Sequence, residues 1–448
     1  MRLLFIHQNF PGQYLHLTRH MHRLGGHEIF GLGETVNIKT RGVIQGITTL
    51  GYATPEGAGQ GTHHYLQSTE AAVRRGQAVA RSLLELKGKG FKPDVISVHP
   101  GWGEGLFVRD VFPDTPILMF SEFYFSAQQA DVGFDPEFPI SIDWDFSMRM
   151  RNTAQVISML TANACLTPTR WQASRYPEIL RRSMHIIHDG VDAEYMCPDP
   201  VDSLTIQPLG TPGESRVAGT PPPPGGGAPD DGSGASPAGP PLTLTRKDKV
   251  ITYVARNLEP YRGFHIFMRA LPRVQRLHPD AHIIIVGHDG VSYSPALPAG
   301  ETYKNKYLKE VVNGLDLSRI HFLGRIPYDA LRSMFRISSA HVYLTYPFVL
   351  SWSALEAMAC ECLLIASDTH PVREVITDRE NGLLTDFFDQ DTLVRLLDEA
   401  LTGPGALTEL RRNARRLVVE RFALQQCLRR QAGLLEDLAK GKYPNPPQ

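Results

Sequence analysis

Cysteine is scarce in this sequence: Cys165, Cys197, Cys360, Cys362 and Cys427 are the only five in 448 residues. An odd, scattered set cannot lay out a disulfide framework, and it fits a reducing compartment. Cys360 and Cys362 form a C-x-C, but no second cysteine pair lies near them in sequence to complete a zinc site. Small buried side chains are expected there instead. Long apolar runs are also missing. The opening MRLLFIHQNF holds four consecutive apolar residues before His7, too few for a secretory or membrane-spanning segment, and no later run is longer than a strand. The expected location is the cytoplasm. Charge of one sign is absent too, since 46 Lys and Arg meet 47 Asp and Glu for a formal net charge of −1. Without a global basic field, no nucleic-acid partner is expected. Finally, no G-x-G-x-x-G follows the first apolar run, which disfavours a dinucleotide-dependent dehydrogenase.

What is present is an alternation of short β-rich runs and helical stretches. Residues 201–247 include GTPPPPGGGAPDDGSGASPAGPP, which has almost no large apolar residues, so this stretch is expected to be a disordered linker. It separates an N-terminal part, 1–195, from a C-terminal part, 248–425, followed by a helical segment and tail over 426–448. In the first part Leu3–Ile6, Glu28–Gly31, Val95–Val98 and Ile117–Phe120 read as strands, with helices over Gln13–Leu24 and Ser68–Leu86. In the second, Val250–Ala255, His282–Val286, Ile320–Leu323, His341–Leu344 and Leu363–Ser367 read as strands between helical stretches. Alternation of this kind implies two α/β, Rossmann-like doubly wound domains. Such sheets bind ligands at the C-terminal ends of their strands, so a central cleft faced by both domains is expected. The stretch Leu407–Leu438 reads as one long capping helix without chemistry.

Two segments carry chemistry. The strand from Val250 runs into Arg256-Asn-Leu-Glu-Pro-Tyr-Arg262-Gly263 and then a helix. Free N–H groups at a helix start, together with two guanidiniums that can donate to phosphate oxygens, make an anion site. The second segment, Thr345-Tyr-Pro-Phe-Val-Leu-Ser-Trp-Ser-Ala-Leu-Glu356, enters a helix with Glu356 expected near its first turn. A carboxylate there is favoured by the helix dipole and can accept the two hydroxyls of a ribose.

The run LEAMAC-x-C-x-x-IASD-x-x-x-x-x-E-V-I, with Asn381-Gly382 following, closely resembles the family 4 retaining glycosyltransferases of GT-B fold. Arg256 and Arg262-Gly263 match that family's phosphate loop, and His188-Asp-Gly-Val-Asp192 resembles its N-G-V-D segment. Phe322-Leu-Gly-Arg-Ile326 resembles the strand and loop beside the nucleotide base. In the first part, Asn9-Phe-Pro-Gly12-Gln-Tyr resembles the glycine loop facing the donor phosphates, and His99-Pro-Gly-Trp-Gly-Glu-Gly105 the segment whose first residue faces the donor sugar. The resemblance covers both parts, and its order across 250–382 is more specific than any single motif.

The sequence departs from the family at two points. Phe348 stands where the first glutamate of an E-x7-E pair would be, which moves its sugar contact to Ser351 or to backbone. Glu361 stands where a glycine is usual. The resemblance implies sugar transfer from a nucleotide diphosphate sugar, with Arg256, Arg262 and His99 in the catalytic site and Gly12, Ile326, Phe348, Ser351 and Glu356 at the donor. It implies no metal and no cofactor. A glycan, lipid-linked sugar or small-molecule acceptor is expected. The alternatives within the fold are a nucleotide-binding scaffold with little or no transferase activity, or another sugar-nucleotide enzyme such as an epimerase. Arg74, Arg75, Arg81, Lys87, Lys89 and Lys92 read as a solvated face, or as a peripheral contact with the inner membrane face if the acceptor is lipid-linked. Asp131, Asp135, Asp143 and Asp145 read as solvated loop carboxylates. His16 and His20, spaced i, i+4, lack the third ligand that a zinc site needs.

Overall fold

A computed structural model describes residues 1–42, 44–126, 130–220 and 239–443. The chain divides into two compact units, one of Met1–Gly190 with Leu424–Gln448 and the other of Val191–Ala423.

The first unit is built on a seven-stranded parallel sheet in the order β3-β2-β1-β4-β5-β6-β7. Its strands are β1 (Arg2–Ile6), β2 (Glu28–Glu34), β3 (Thr48–Tyr52), β4 (Val95–Val98), β5 (Ile117–Phe120), β6 (Ala164–Thr167) and β7 (Met184–Ile186). Strand alternation divides its apolar residues between two cores, because successive side chains point to opposite faces. Leu3 and Phe5 join one core with Leu17, Met21, Leu424, Leu428 and Leu435, whereas Leu4 and Ile6 join the other with Val79 and Leu83. The helix Gln67–Gly88 covers the second face. The chain's last helix, Leu424–Ala439, covers the first. The single expected stretch 407–438 is therefore two helices, Thr408–Arg421 and Leu424–Ala439, and they belong to different units. The break falls at Phe422 and Ala423, where buried leucines spaced for the first unit take over.

The second unit has a six-stranded parallel sheet, β13-β12-β11-β14-β15-β16, formed by β11 (Val250–Asn257), β12 (His282–His288), β13 (Ile320–Phe322), β14 (Ala340–Tyr343), β15 (Leu364–Ser367) and β16 (Leu383–Thr385). Beside it lies a three-stranded antiparallel sheet of β8 (Ser203–Pro208), β9 (Ser215–Val217) and β10 (Leu242–Thr245). This corrects the expectation that 201–247 is a disordered linker. Residues 221–238, and 444–448 of the expected tail, lie outside the described residues, but the flanks of the linker are folded. Leu204, Ile206 and Leu244 are buried in the second unit's core. The alternations L-T-I and L-T-L have the period of a half-buried strand, and the surrounding Pro and Gly masked it in a composition-based reading.

The small sheet is tied to the large one by a polar relay. The Arg319 guanidinium donates to His282 Nε2 at 2.7 Å, so the neutral His282 ring donates from Nδ1 to His321 Nε2 at 3.0 Å. His321 Nδ1 then donates to the Ser215 hydroxyl at 3.3 Å. Both rings must be neutral for this order to hold. Burial, with the Arg319 cation adding like charge, pushes His321 down to about 3. The unfolded chain takes up this proton near pH 6.5 and the folded chain does not, so the stability is complete above that pH and is lost as pH falls toward 3. Chemical denaturation at pH 7.5 and pH 5 should differ by about 2 kcal/mol from His321 alone. The difference should shrink in His321→Asn.

Glu361 accounts for its own departure from the family pattern. The helix Trp352–Ala359 ends in a Schellman turn, with Cys362 N–H donating to Ala357 C=O at 3.0 Å and Glu361 N–H to Met358 C=O at 3.1 Å. Glu361 holds φ = 55°, the left-handed region in which a side chain is strained and glycine is not. Glu361→Gly is expected to raise stability by about 0.5–1 kcal/mol in a denaturant titration, the strain relief outweighing glycine's extra unfolded-state entropy.

Candidate functional site

In the second unit the strand order reverses between β11 and β14, and both chemistry-bearing segments leave the sheet there. One extra residue on β11 between Val254 and Asn257, relative to β12, forms a bulge at Arg256 and turns its side chain into solvent. Arg262 points the other way. Its Nη1 donates to Thr345 Oγ1 at 2.6 Å and to the Val349 carbonyl at 3.2 Å, and Nη2 reaches the same carbonyl at 3.2 Å. The loop after β14 is thus pinned to the loop after β11 by one planar fork. Gly263 holds φ = 69° with its α-carbon so close to Leu344 that a Cβ would lie 2.3 Å from that side chain, so the helix Phe264–Leu277 can start there only from glycine. That helix has no side-chain cap, leaving its first N–H groups open.

Phe348 is 6% exposed. Its ring packs 4.8 Å from Tyr293, 5.3 Å from Tyr261 and 5.7 Å from the Arg262 guanidinium. The structure therefore gives the glutamate-replacing residue a packing role against the loop that carries Tyr261 and Arg262. Glu259, absent from the expected site, is buried and accepts backbone N–H groups from Ser292 at 3.3 Å, Tyr293 at 3.0 Å and Ser294 at 2.8 Å. It fixes the loop after β12 against the same aromatic cluster.

Glu356 is the fifth residue of its helix, Trp352–Ala359, and not near the first turn as expected, so the helix N-terminus does little for its charge. Its carboxylate accepts the Tyr328 hydroxyl at 2.7 Å. Burial pushes its pKa up and that hydrogen bond opposes the rise. Tyr328 stacks on Tyr195 at 5.3 Å, with Arg332 over the Tyr195 ring at 4.1 Å. Ser351 precedes the helix without a side-chain cap, and its N–H donates to the Tyr343 hydroxyl at 2.8 Å. Ile326 is half-buried on the edge of the core after β13.

In the first unit the strand order reverses between β1 and β4. Gly12, after β1, holds φ = 50°, and a Cβ there would lie 2.7 Å from the His7 ring. His99, directly after β4, is 3% exposed and packs 4.8 Å from both His7 and Trp102. Glu122, after β5, lies 3.4 Å from His99 Nε2 and accepts Gln13 Nε2 at 3.0 Å. His7 and Glu122 were not expected at the site, whereas Gln13 follows Gly12 in the expected glycine loop. Gln13 and Glu122 are 109 residues apart, and no local spacing joins them.

Other expectations change. Asp131 and Asp135 are buried, not solvated, and burial lifts Asp131 to about 6. Arg75 is ion-paired with Glu34 and lies 3.8 Å from Glu104, while Arg74 pairs with Glu70 at 2.7 Å. Two of the six cations in the basic run are thus neutralised locally. No described helix is long and apolar enough to cross a membrane.

Two doubly wound parallel-sheet units, each with its polar groups at its switch point, define the GT-B class. Solved structures bear out the fold. Sucrose-phosphate synthase from Thermosynechococcus elongatus aligns with a TM-score of 0.69 at 14% identity, covering 99% of this chain and 100% of that one. Anabaena HepE, solved in complex with UDP and glucose, aligns with a TM-score of 0.61 at 15% identity over 98% and 100%. The family described as glycosyl transferase family 4 group matches residues 25–196, and that described as glycosyl transferases group 1 matches residues 240–417. The chain belongs to the family 4 glycosyltransferases. The phosphatidyl-myo-inositol mannosyltransferase of Mycobacterium tuberculosis is 28% identical over 163 residues, which is 35% of this chain and 38% of the relative. The chain thus spans less than half the length of the curated relatives it matches.

Proposed function

We propose that this chain is a retaining glycosyltransferase that moves a sugar from a nucleoside diphosphate sugar to a hydroxyl of a glycan or lipid-linked acceptor. The observation that carries the reading is the loop 256–263 at the switch point of the second unit, with Arg256 exposed and the loop leading into an uncapped helix N-terminus. As the bond from the sugar's anomeric carbon to the diphosphate breaks, the leaving group gains negative charge. The Arg256 guanidinium, exposed on its bulge, and the helix N–H groups are set to stabilise that charge, while Arg262 holds the loop. The acceptor oxygen bonds to the same face of the anomeric carbon and its proton leaves to the departing phosphate. Glu356 already holds one hydroxyl, from Tyr328, and in this reading it exchanges that hydroxyl for those of the ribose. The donor's base lies by Ile326. The reading calls on no metal and no cofactor. HepE was solved with UDP, which supports a nucleotide donor, and the mycobacterial relative's name supports including lipid-linked acceptors in the search. Arg81, Lys89 and Lys92, exposed in the first unit, are the residues such an acceptor's membrane would meet.

Thermal shift against UDP, GDP, ADP and their sugar conjugates tests the donor site. At least one diphosphate should raise the melting temperature of the parent and fail to do so in Arg256→Ala. A chain that no nucleotide stabilises sinks the reading. The burial of Phe348 in place of a carboxylate favours a second reading, a nucleotide-binding scaffold that never consumes the sugar. Donor hydrolysis separates the two, and NMR of the recovered sugar would expose an epimerase.

A further inference from the structure

His99 was expected to meet the sugar, yet its side chain is 4% exposed while that of Glu122 is 32% exposed. The protons explain their arrangement. His99 Nδ1 accepts the Gly101 N–H at 3.2 Å, so in the neutral ring the proton sits on Nε2, which lies 3.4 Å from Glu122 Oε2. The other carboxylate oxygen accepts Gln13 Nε2 at 3.0 Å. Gln13 is placed in turn by Gly12, whose missing Cβ lets the loop pass over the His7 ring. Three loops, after β1, β4 and β5, thus converge on one partly exposed carboxylate. They leave neighbouring strands at the switch point of the first sheet. The Gln172 amide further fixes the same residue through its backbone carbonyl, at 2.6 Å.

We propose that Glu122 is the carbohydrate-binding residue of the first unit, accepting a hydroxyl of a sugar ring, and that His99 acts behind it as a positioning residue. A carboxylate with two oxygens suits a polyol, since it accepts and never donates when ionised. A donor N–H from each side holds it in place before the sugar arrives. The 3.4 Å separation from His99 is long for a hydrogen bond and has room to tighten when a ligand draws the carboxylate into place. The proposal rests on the transferase reading for the identity of the sugar, but not for the existence of the site.

The test is saturation-transfer NMR of the full chain with a panel of methyl glycosides, run beside calorimetry with free nucleoside diphosphates. The parent should show transfer to at least one glycoside. Glu122→Ala and the isosteric Glu122→Gln should lose it by tenfold or more, with nucleotide affinity unchanged within twofold. Glu122→Gln guards against a folding failure in the alanine variant. His99→Gln keeps an amide donor at the Nε2 end and should retain glycoside binding that His99→Leu loses, a difference that simple packing would not produce. If the parent binds glycosides but no nucleotide, the transferase reading fails and this one stands. No glycoside contact in the parent, or contact unchanged in both Glu122 variants, overturns it.

Discussion

Phe348→Glu should destabilise the second unit by about 3–5 kcal/mol, the usual cost of leaving a charge buried without a proper partner. The ring it replaces lies among Tyr261, Tyr293 and the Arg262 guanidinium. A carboxylate there could pair with Arg262 only by drawing the guanidinium away from Thr345 and Val349, which would release the loop after β14. Urea denaturation of the parent and the variant measures the loss. Stability within 1 kcal/mol of the parent would show that the position tolerates the family's glutamate, and that Phe348 is not the packing element described above. Phe348→Leu keeps the site apolar and should cost less, through lost ring contacts alone.

Arg262→Ala should weaken nucleoside diphosphate binding roughly 10- to 150-fold, about 1.5–3 kcal/mol, as the removal of a charged hydrogen-bonding partner typically does. The structure assigns part of that loss to an indirect route. The guanidinium's three short contacts run to Thr345 and Val349, so its removal frees the loop that should flank the donor phosphates. Lysine at this position keeps the charge but is a point donor that cannot span both partners, so Arg262→Lys should recover only a minor share of the affinity. Calorimetry with the diphosphate that gives the largest thermal shift decides the matter. Equal affinity in the parent and both variants would place the donor site elsewhere.

Much of this was legible along the chain. The strand, Arg256, Arg262-Gly263 and helix lie within a few residues of one another, and a candidate phosphate site made by one loop leaves a local signature. The buried parallel strands were legible for a similar reason, since both faces of such a sheet are covered and the runs read as continuously apolar. Even so β3, β6, β7 and β16 escaped, being short or masked by their surroundings. Strands β8 and β10 were hidden by the Pro- and Gly-rich residues between them, although Ile206 and Leu244 are fully buried.

Fold class, the order of the motifs and the proposed phosphate loop could be read along the chain, because each depends on residues close together in it or on a repeating apolar period. Tertiary structure decided the rest. It turned Phe348 inward and Arg256 outward, gave the Glu356 carboxylate to Tyr328, and returned the last helix to the first sheet. It also gathered Gln13 and His99 around the Glu122 carboxylate. Those outcomes depend on which strands become neighbours and which side chains then compete for the same space and the same hydrogen bonds, and that competition leaves no period along the chain.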